Sequence, residues 1–132
     1  MAAAIRAGVL YFAIVFMVGF VLGTIRVLVV IPRFGESNAL LLELPVMLAL
    51  SWFACTWLVG RYSVPPMASA RLAMGAVAFL LLMVGELGVS VFGFGRSVAE
   101  HLEVYRSASA QLGLAAQLVF AAFPLLQLLR RT

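Results

Sequence analysis

The chain has 132 residues, of which 65% are apolar and 11% charged, and its formal net charge is +4. Soluble globular proteins contain about a quarter charged residues, and disordered chains hold far fewer apolar ones. The mean hydropathy of +1.16 excludes both classes and indicates an integral membrane protein whose main partner is the lipid bilayer. The nine arginines are too dispersed for a basic groove, so we expect no nucleic-acid partner.

Four apolar runs follow one another along the chain. They cover residues 7–31, 39–59, 72–94 and 108–129. About 20 helical residues cross a hydrocarbon core of about 30 Å. Since that core offers no water to backbone groups, a helix is the structure that satisfies them within one segment. The sequence therefore predicts an all-α, integral membrane four-helix bundle that forms a single domain over residues 1–132.

Short connections join these runs, so consecutive spans are expected to be antiparallel and to form an up-down bundle. The last connection has apolar residues at helical spacing and predicts a short amphipathic helix over residues 96–106 at the membrane surface. Its charged residues are spaced for two exposed ion pairs, Arg96 with Glu100 and Glu103 with Arg106.

Arginines are slightly more frequent at one predicted end of the bundle. Arg6, Arg61, Arg71, Arg130 and Arg131 fall at this end; Arg33, Arg96 and Arg106 fall at the other. Because basic residues are retained on the cytoplasmic side, we expect both termini in the cytoplasm. The loop with Arg61 and Arg71 and the pair Arg130-Arg131 are interpreted as topology signals, with binding of anionic lipid as the alternative. Arginine without lysine is typical of a GC-rich genome and favours a bacterial inner membrane.

Three charged residues fall inside the spans at related depths. Arg26 lies about five residues from the end of its span, and Glu43 lies at a similar depth. Glu86 lies about eight residues from the end of its span, roughly 12 Å down. A charge at the bilayer centre costs about 2.5–3.5 kcal/mol on insertion scales, and pairing reduces that cost. We therefore predict an intramembrane polar cluster of Arg26, Glu43, Glu86 and Gln117, in which Gln117 is a hydrogen-bond partner of Glu86.

The cluster admits three interpretations. It locks the helices in register, it forms a polar pathway for protons or a polar solute, or Arg26 and Glu43 extend to the interface without partners. Glu86 is the deepest of the five glutamates, so it is the acid whose protonation we expect to matter for function. If Arg26 is committed to Glu43, we expect Glu86 to be protonated and to donate a hydrogen bond to Gln117 or to a backbone carbonyl.

Small residues and prolines add expectations about packing. Gly19 and Gly23 form a GxxxG pair on the side of the first span that carries Arg26, and we predict helix packing there. Pro45 is expected either in the first turn of the second span or at a kink. Pro124 is expected to kink the fourth span.

Residues that carry known chemistry are few. His101 is the single histidine, and we expect it either to be solvated or to relay protons with Glu100 or Glu103. Cys55 is the single cysteine and is interpreted as core packing. Phosphate-binding, dinucleotide-binding, nucleophile and zinc-protease motifs are absent from the sequence. We therefore expect no enzymatic activity, no cofactor and no metal.

Three short stretches resemble those of uncharacterised small four-span inner-membrane proteins of proteobacteria. They are Gly-Thr-Ile-Arg at 23–26, Glu-Leu-Pro at 43–45 and Gly-Glu at 85–86. The resemblance covers most of the chain and implies the four-span fold, but it carries no assigned activity.

Two functions fit these features. The first is a non-enzymatic accessory or structural protein of the inner membrane, with a membrane protein as its partner. The alternative is a small transporter or channel that uses the Arg/Glu pathway. Because a bundle of this size is expected to enclose little space, transport is expected to need a homo-oligomer.

Overall fold

A computed structural model describes residues 2–130 of the chain, apart from the side chains of residues 36, 37 and 109. These residues form helices and no strand, which confirms the all-α class. We number the helices as α1 (Ala2–Ile25, continued by the π-helical Arg26–Val30 and the turn Ile31–Phe34), α2 (Glu36–Arg61), α3 (Ala68–Gly88, continued by the π-helical Val89–Gly93), α4 (Val98–Val104) and α5 (Ala108–Arg130).

Four of the helices, α1, α2, α3 and α5, are long and apolar enough to cross a membrane by length and composition. Their outward faces carry large apolar side chains, such as Phe53, Leu80 and Val84, each more than 60% exposed. A soluble monomer rarely exposes continuous apolar surface of this extent. Lipid covers such a surface at little cost, as expected for a multi-pass membrane protein.

The long helices alternate in direction, so each end of the bundle has its own connections. The Gly35 end holds the turn at Gly35 and the segment 94–107; the Pro65 end holds the connection 62–67, Ala2 and Arg130. Around the bundle the order is α1, α3, α5, α2, since α1 and α5 each pack against both α2 and α3. The up-down alternation matches the sequence prediction. Helices α2 and α3 lie on a diagonal although they are consecutive in the chain.

Helices approach each other most closely in the Pro65 half. A Cβ atom added at Gly75 would overlap the carbonyl group of Ala121, so the backbones of α3 and α5 are in direct contact there. A Cβ atom added at Gly8 would lie 2.7 Å from the carbonyl oxygen of Met74, so α1 also lies close to α3. Glycine permits this approach because it has no Cβ atom.

Tyr11 and Phe120 connect α1 to α5 across the centre of the bundle. Their rings stack with centroids 4.1 Å apart, and the Tyr11 hydroxyl donates to the Phe120 carbonyl oxygen at 2.7 Å. In a regular helix that carbonyl accepts the N–H group four residues later, but residue 124 is a proline. Tyr11 therefore supplies the donor that Pro124 lacks. Pro45 also lies inside its helix, α2, and not in the first turn.

Arg71, which was interpreted from the sequence as a topology signal, is buried in the structure. Its side chain is only 2% exposed and lies inside the Pro65 end of the bundle. The guanidinium donates to the carbonyl oxygens of Pro124, at 3.0 Å, and Pro65, at 3.3 Å. The buried guanidinium of Arg71 therefore has backbone carbonyl acceptors in the connection 62–67 and in α5.

Helix α4 is shorter than the predicted amphipathic segment and begins with a capping box. The Ser97 hydroxyl accepts from the Glu100 N–H group, and the Glu100 carboxylate accepts from the Ser97 N–H group, each at 3.1 Å. Glu100 is thereby engaged at the helix start, and no ion pair with Arg96 is among the contacts of the described residues. The expected pair of Glu103 and Arg106 is present at 3.4 Å.

Gly75→Ala tests the close crossing of α3 and α5. We expect it to lower the free energy of unfolding by about 1–3 kcal/mol, because the added methyl group meets the rigid Ala121 carbonyl. Gly60→Ala is the matched control, since its added methyl group meets nothing within 4 Å; it should be neutral or stabilising by up to about 1 kcal/mol. Unfolding midpoints of the purified variants in detergent measure the difference. Equal midpoints for the two variants would contradict the crossing.

Candidate functional site

A cavity of about 880 Å³ lies between the four long helices in the Gly35 half of the bundle. Its inner wall is apolar and includes Val15, Leu82 and Phe120. Its polar lining, from all four long helices, from α4 and from the loops beside α4, includes Arg26, Glu43, Ser51, Glu86, Ser90, Arg96, His101, Tyr105, Ser107 and Gln117. The polar cluster selected from the sequence therefore faces one shared space.

Arg26 and Glu43 form the ion pair of this cavity. One terminal guanidinium nitrogen of Arg26 lies 2.5 Å from Oε2 of Glu43, and the two side chains are 31% and 14% exposed. Arg26 is the first residue of the π-helical segment of α1, a distortion that is frequent at functional sites. The pair joins α1 to α2, so neither residue extends to the interface without a partner.

Glu86 has different partners, both of them neutral. The side-chain amide of Gln117 donates to its Oε1 atom, the reverse of the predicted donation from Glu86, and the Tyr105 hydroxyl donates to its Oε2 atom at 3.5 Å. Burial and the neighbouring Glu86 carboxylate raise the pKa of the Tyr105 phenol, so this hydroxyl keeps its proton at neutral pH. Within the described part of the chain, no ion pair joins Glu86 to an arginine.

The structure thus arranges the four predicted polar residues as two separate pairs. Arg26 contacts Glu43, and Gln117 contacts Glu86; no direct contact between the pairs is among those of the described residues. Tyr105 also contacts Glu86, which was not predicted from the sequence because the helical spacing places this residue on the apolar face of a surface helix. The tyrosine lies just after α4, where the chain turns back toward the bundle.

The two predicted packing glycines line the cavity. A Cβ atom at Gly19 would lie 3.3 Å from the terminal methyl group of Met47, and one at Gly23 would lie 3.8 Å from the guanidinium of Arg26. The tightest backbone approaches are instead at Gly8 and Gly75. A signal for these two was present in the sequence, since alanines at positions 4, 7, 70 and 78 surround them.

His101 and Arg96 also line the cavity, and both lie in the segment 94–107 at the Gly35 end of the bundle. The His101 ring packs edge-on against the Tyr105 ring, and its Nδ1 atom is buried with no hydrogen-bond partner in the part of the chain that the structure describes. Arg96 lies over the Phe94 ring and donates to the Ser90 hydroxyl at 3.5 Å. No hydrogen bond from the His101 side chain to Glu100 or Glu103, as the proton relay would need, is among the contacts of the described residues.

Comparisons with protein-family models, with curated proteins and with solved structures gave no match to this chain. The resemblance to small four-span proteobacterial proteins therefore stays a prediction. What the protein does has to be argued from the cavity and its lining.

Removal of one partner tests the Arg26–Glu43 pair. Arg26→Leu leaves the Glu43 carboxylate without its cation, which costs about 3–5 kcal/mol for a fully buried pair. Since Arg26 is 31% exposed, we expect a loss of about 2 kcal/mol. Glu43→Gln should cost less, because the amide oxygen still accepts from the guanidinium.

The double variant Arg26→Leu/Glu43→Leu decides whether the two residues act as a pair. With both charges absent, most of the stability lost in Arg26→Leu should return. Unfolding of all variants in one detergent measures this coupling. A double variant whose loss equals the sum of the Arg26→Leu and Glu43→Leu losses would contradict the pair.

Proposed function

We propose that this chain is a small solute transporter of the bacterial inner membrane, without enzymatic activity, and that its cavity is the solute-binding site. The observation that carries this proposal is the 880 Å³ cavity lined by the intramembrane charges. Sites for small molecules occupy about 300–1,000 Å³ and combine apolar walls with a few polar groups. A bundle that used its charges only to lock its helices would pack side chains around them.

The cavity lies within a single chain. From its size alone, the bundle is expected to enclose little space, so that transport would need a homo-oligomer. The described helices of one chain are enough to form the cavity, so the proposal needs no second copy for binding.

The closed Pro65 end favours a transporter over an open channel. Inward from the cavity, the stacked rings of Tyr11 and Phe120 fill the centre of the bundle, and α3 contacts α5 at Gly75. A solute that enters from the Gly35 end therefore reaches a dead end in this conformation. Release on the other side requires a second conformation in which this contact opens.

In the proposed orientation, the Gly35 end faces the periplasm and the termini face the cytoplasm. With Arg71 buried, the described arginines that count toward this orientation are Arg6, Arg61 and Arg130 at the Pro65 end, and Arg131, outside the described residues, follows Arg130 in the sequence; Arg33, Arg96 and Arg106 fall at the other end.

An accessory or structural role is the second candidate, and the Arg26–Glu43 pair favours it. This pair satisfies both charges within the chain and ties α1 to α2. In that case the cavity holds lipid or part of a partner protein and admits no water-soluble reagent.

Water access separates the two candidates, and two neighbouring alanines of α5 provide a matched pair. Ala116 lines the cavity, whereas Ala115 lies outside its lining and is exposed on the bundle surface. In a Cys55→Ala background, Ala116→Cys should react with a charged, membrane-impermeant methanethiosulfonate, because water fills the cavity. Ala115→Cys should not react, since its thiol lies in lipid.

The side of addition tests the orientation in the same experiment. Reagent added outside right-side-out vesicles should label Ala116→Cys. Labelling only in inverted vesicles would overturn the orientation and keep the cavity. If Ala116→Cys stays as unreactive as Ala115→Cys in both vesicle types, the transporter proposal fails and the accessory role is favoured.

A further inference from the structure

The two glutamates of the cavity wall, Glu43 and Glu86, differ in their partners. Arg26 is committed to Glu43, at 2.5 Å. Glu86 has hydrogen bonds from Gln117 and Tyr105, which orient its carboxylate but bring no positive charge. Among the described residues of the cavity, Glu86 therefore has no cationic partner, and its carboxyl group can serve as the counter-ion of a cationic ligand.

Arg96 does not remove this charge. It lies in the segment between α3 and α4, is exposed to solvent, and has its own contacts with Phe94 and Ser90. An exposed guanidinium is screened by water and ions, so it compensates a carboxylate deeper in the cavity only weakly.

Aromatic side chains surround the same space. Phe16, Phe20, Phe94, Tyr105 and Phe120 all belong to the cavity lining. The face of an aromatic ring attracts a cation, and this attraction strengthens where water is excluded. The rings also offer apolar contact to the body of a ligand.

We propose that the cavity binds a lipophilic organic cation, such as a hydrophobic amine in its protonated form or a quaternary ammonium or phosphonium ion. The Glu86 carboxylate supplies the counter-charge, Gln117 and Tyr105 hold it in place, and the aromatic rings surround the apolar groups. A hydrated inorganic cation is disfavoured, because the apolar lining cannot replace its water shell. This inference rests on the proposed function, since it names the class of solute for the same cavity.

Tetraphenylphosphonium is the probe, and tetraphenylborate is its control of nearly the same shape and opposite charge. Both are measured by equilibrium dialysis against the full chain in nanodiscs, with empty nanodiscs subtracted. The wild-type chain should bind the phosphonium in a saturable manner and the borate not at all. If both ions bind alike, hydrophobic partition is the cause, and the charge argument is overturned.

Two glutamate variants assign the binding to Glu86. Glu86→Gln removes the charge but keeps groups that hydrogen-bond to Gln117 and Tyr105, and it should weaken phosphonium binding about tenfold or more. Glu103→Gln removes a carboxylate of α4 that is exposed and outside the cavity lining, and it should bind like wild type. A Glu86→Gln chain with wild-type affinity would overturn the proposal.

A protection experiment keeps the proposal testable if Glu86→Gln fails to fold. In the Ala116→Cys chain, which retains Glu86, the phosphonium should slow thiosulfonate labelling and the borate should not. Labelling that is unaffected by the phosphonium, in a chain that does label, overturns the ligand class and leaves the water-filled cavity standing. Absence of any labelling instead refutes the proposed function on which this inference rests.

Discussion

The close crossing of α3 and α5 at Gly75 is the constraint on which the rest of the structure depends. Their backbones touch in the Pro65 half, and Gly8 brings α1 against α3 in the same half. The helices are held together there, and in the Gly35 half they leave a cavity of about 880 Å³ between them. One end of the bundle is therefore a packed core, and the other encloses a cavity.

The polar groups that hold the helices together have hydrogen-bond partners within the chain. The Tyr11 hydroxyl serves the Phe120 carbonyl that Pro124 leaves without a donor, and Arg71 donates to backbone carbonyls. In the cavity, Arg26 neutralises Glu43. Glu86 lies in the same cavity, and its hydrogen bonds from Gln117 and Tyr105 bring no cation. A charge without a counter-ion is costly in a membrane, and this is why the proposed function is centred on Glu86.

The four spans and the depth of the charged residues could be predicted from the sequence, because hydropathy and helical rise determine both. Arg26 and Glu43 were predicted at one depth, and the structure shows them in contact. The order of helices around the bundle could not be predicted, because it depends on where backbones can touch, as at Gly75. One partner of Arg71, the Pro124 carbonyl, lies 53 residues away in the sequence, so a count of arginines could not show that Arg71 is buried. The cavity could not be predicted from the sequence either, because a space between helices leaves no periodic pattern.

Hydroxyl-radical footprinting of the unmodified protein in nanodiscs tests the central claim, a water-filled Gly35 half above a dry Pro65 half. Three methionines report on three environments: Met47 lines the cavity, Met74 is fully buried in the core, and Met17 is 68% exposed on the bundle surface, where lipid covers it. Methionine oxidises readily where water-borne radicals reach it. The account predicts fast oxidation of Met47 and protection of Met74 and Met17. Protection of Met47 to the level of Met74, or oxidation of Met74 as fast as Met47, would contradict it.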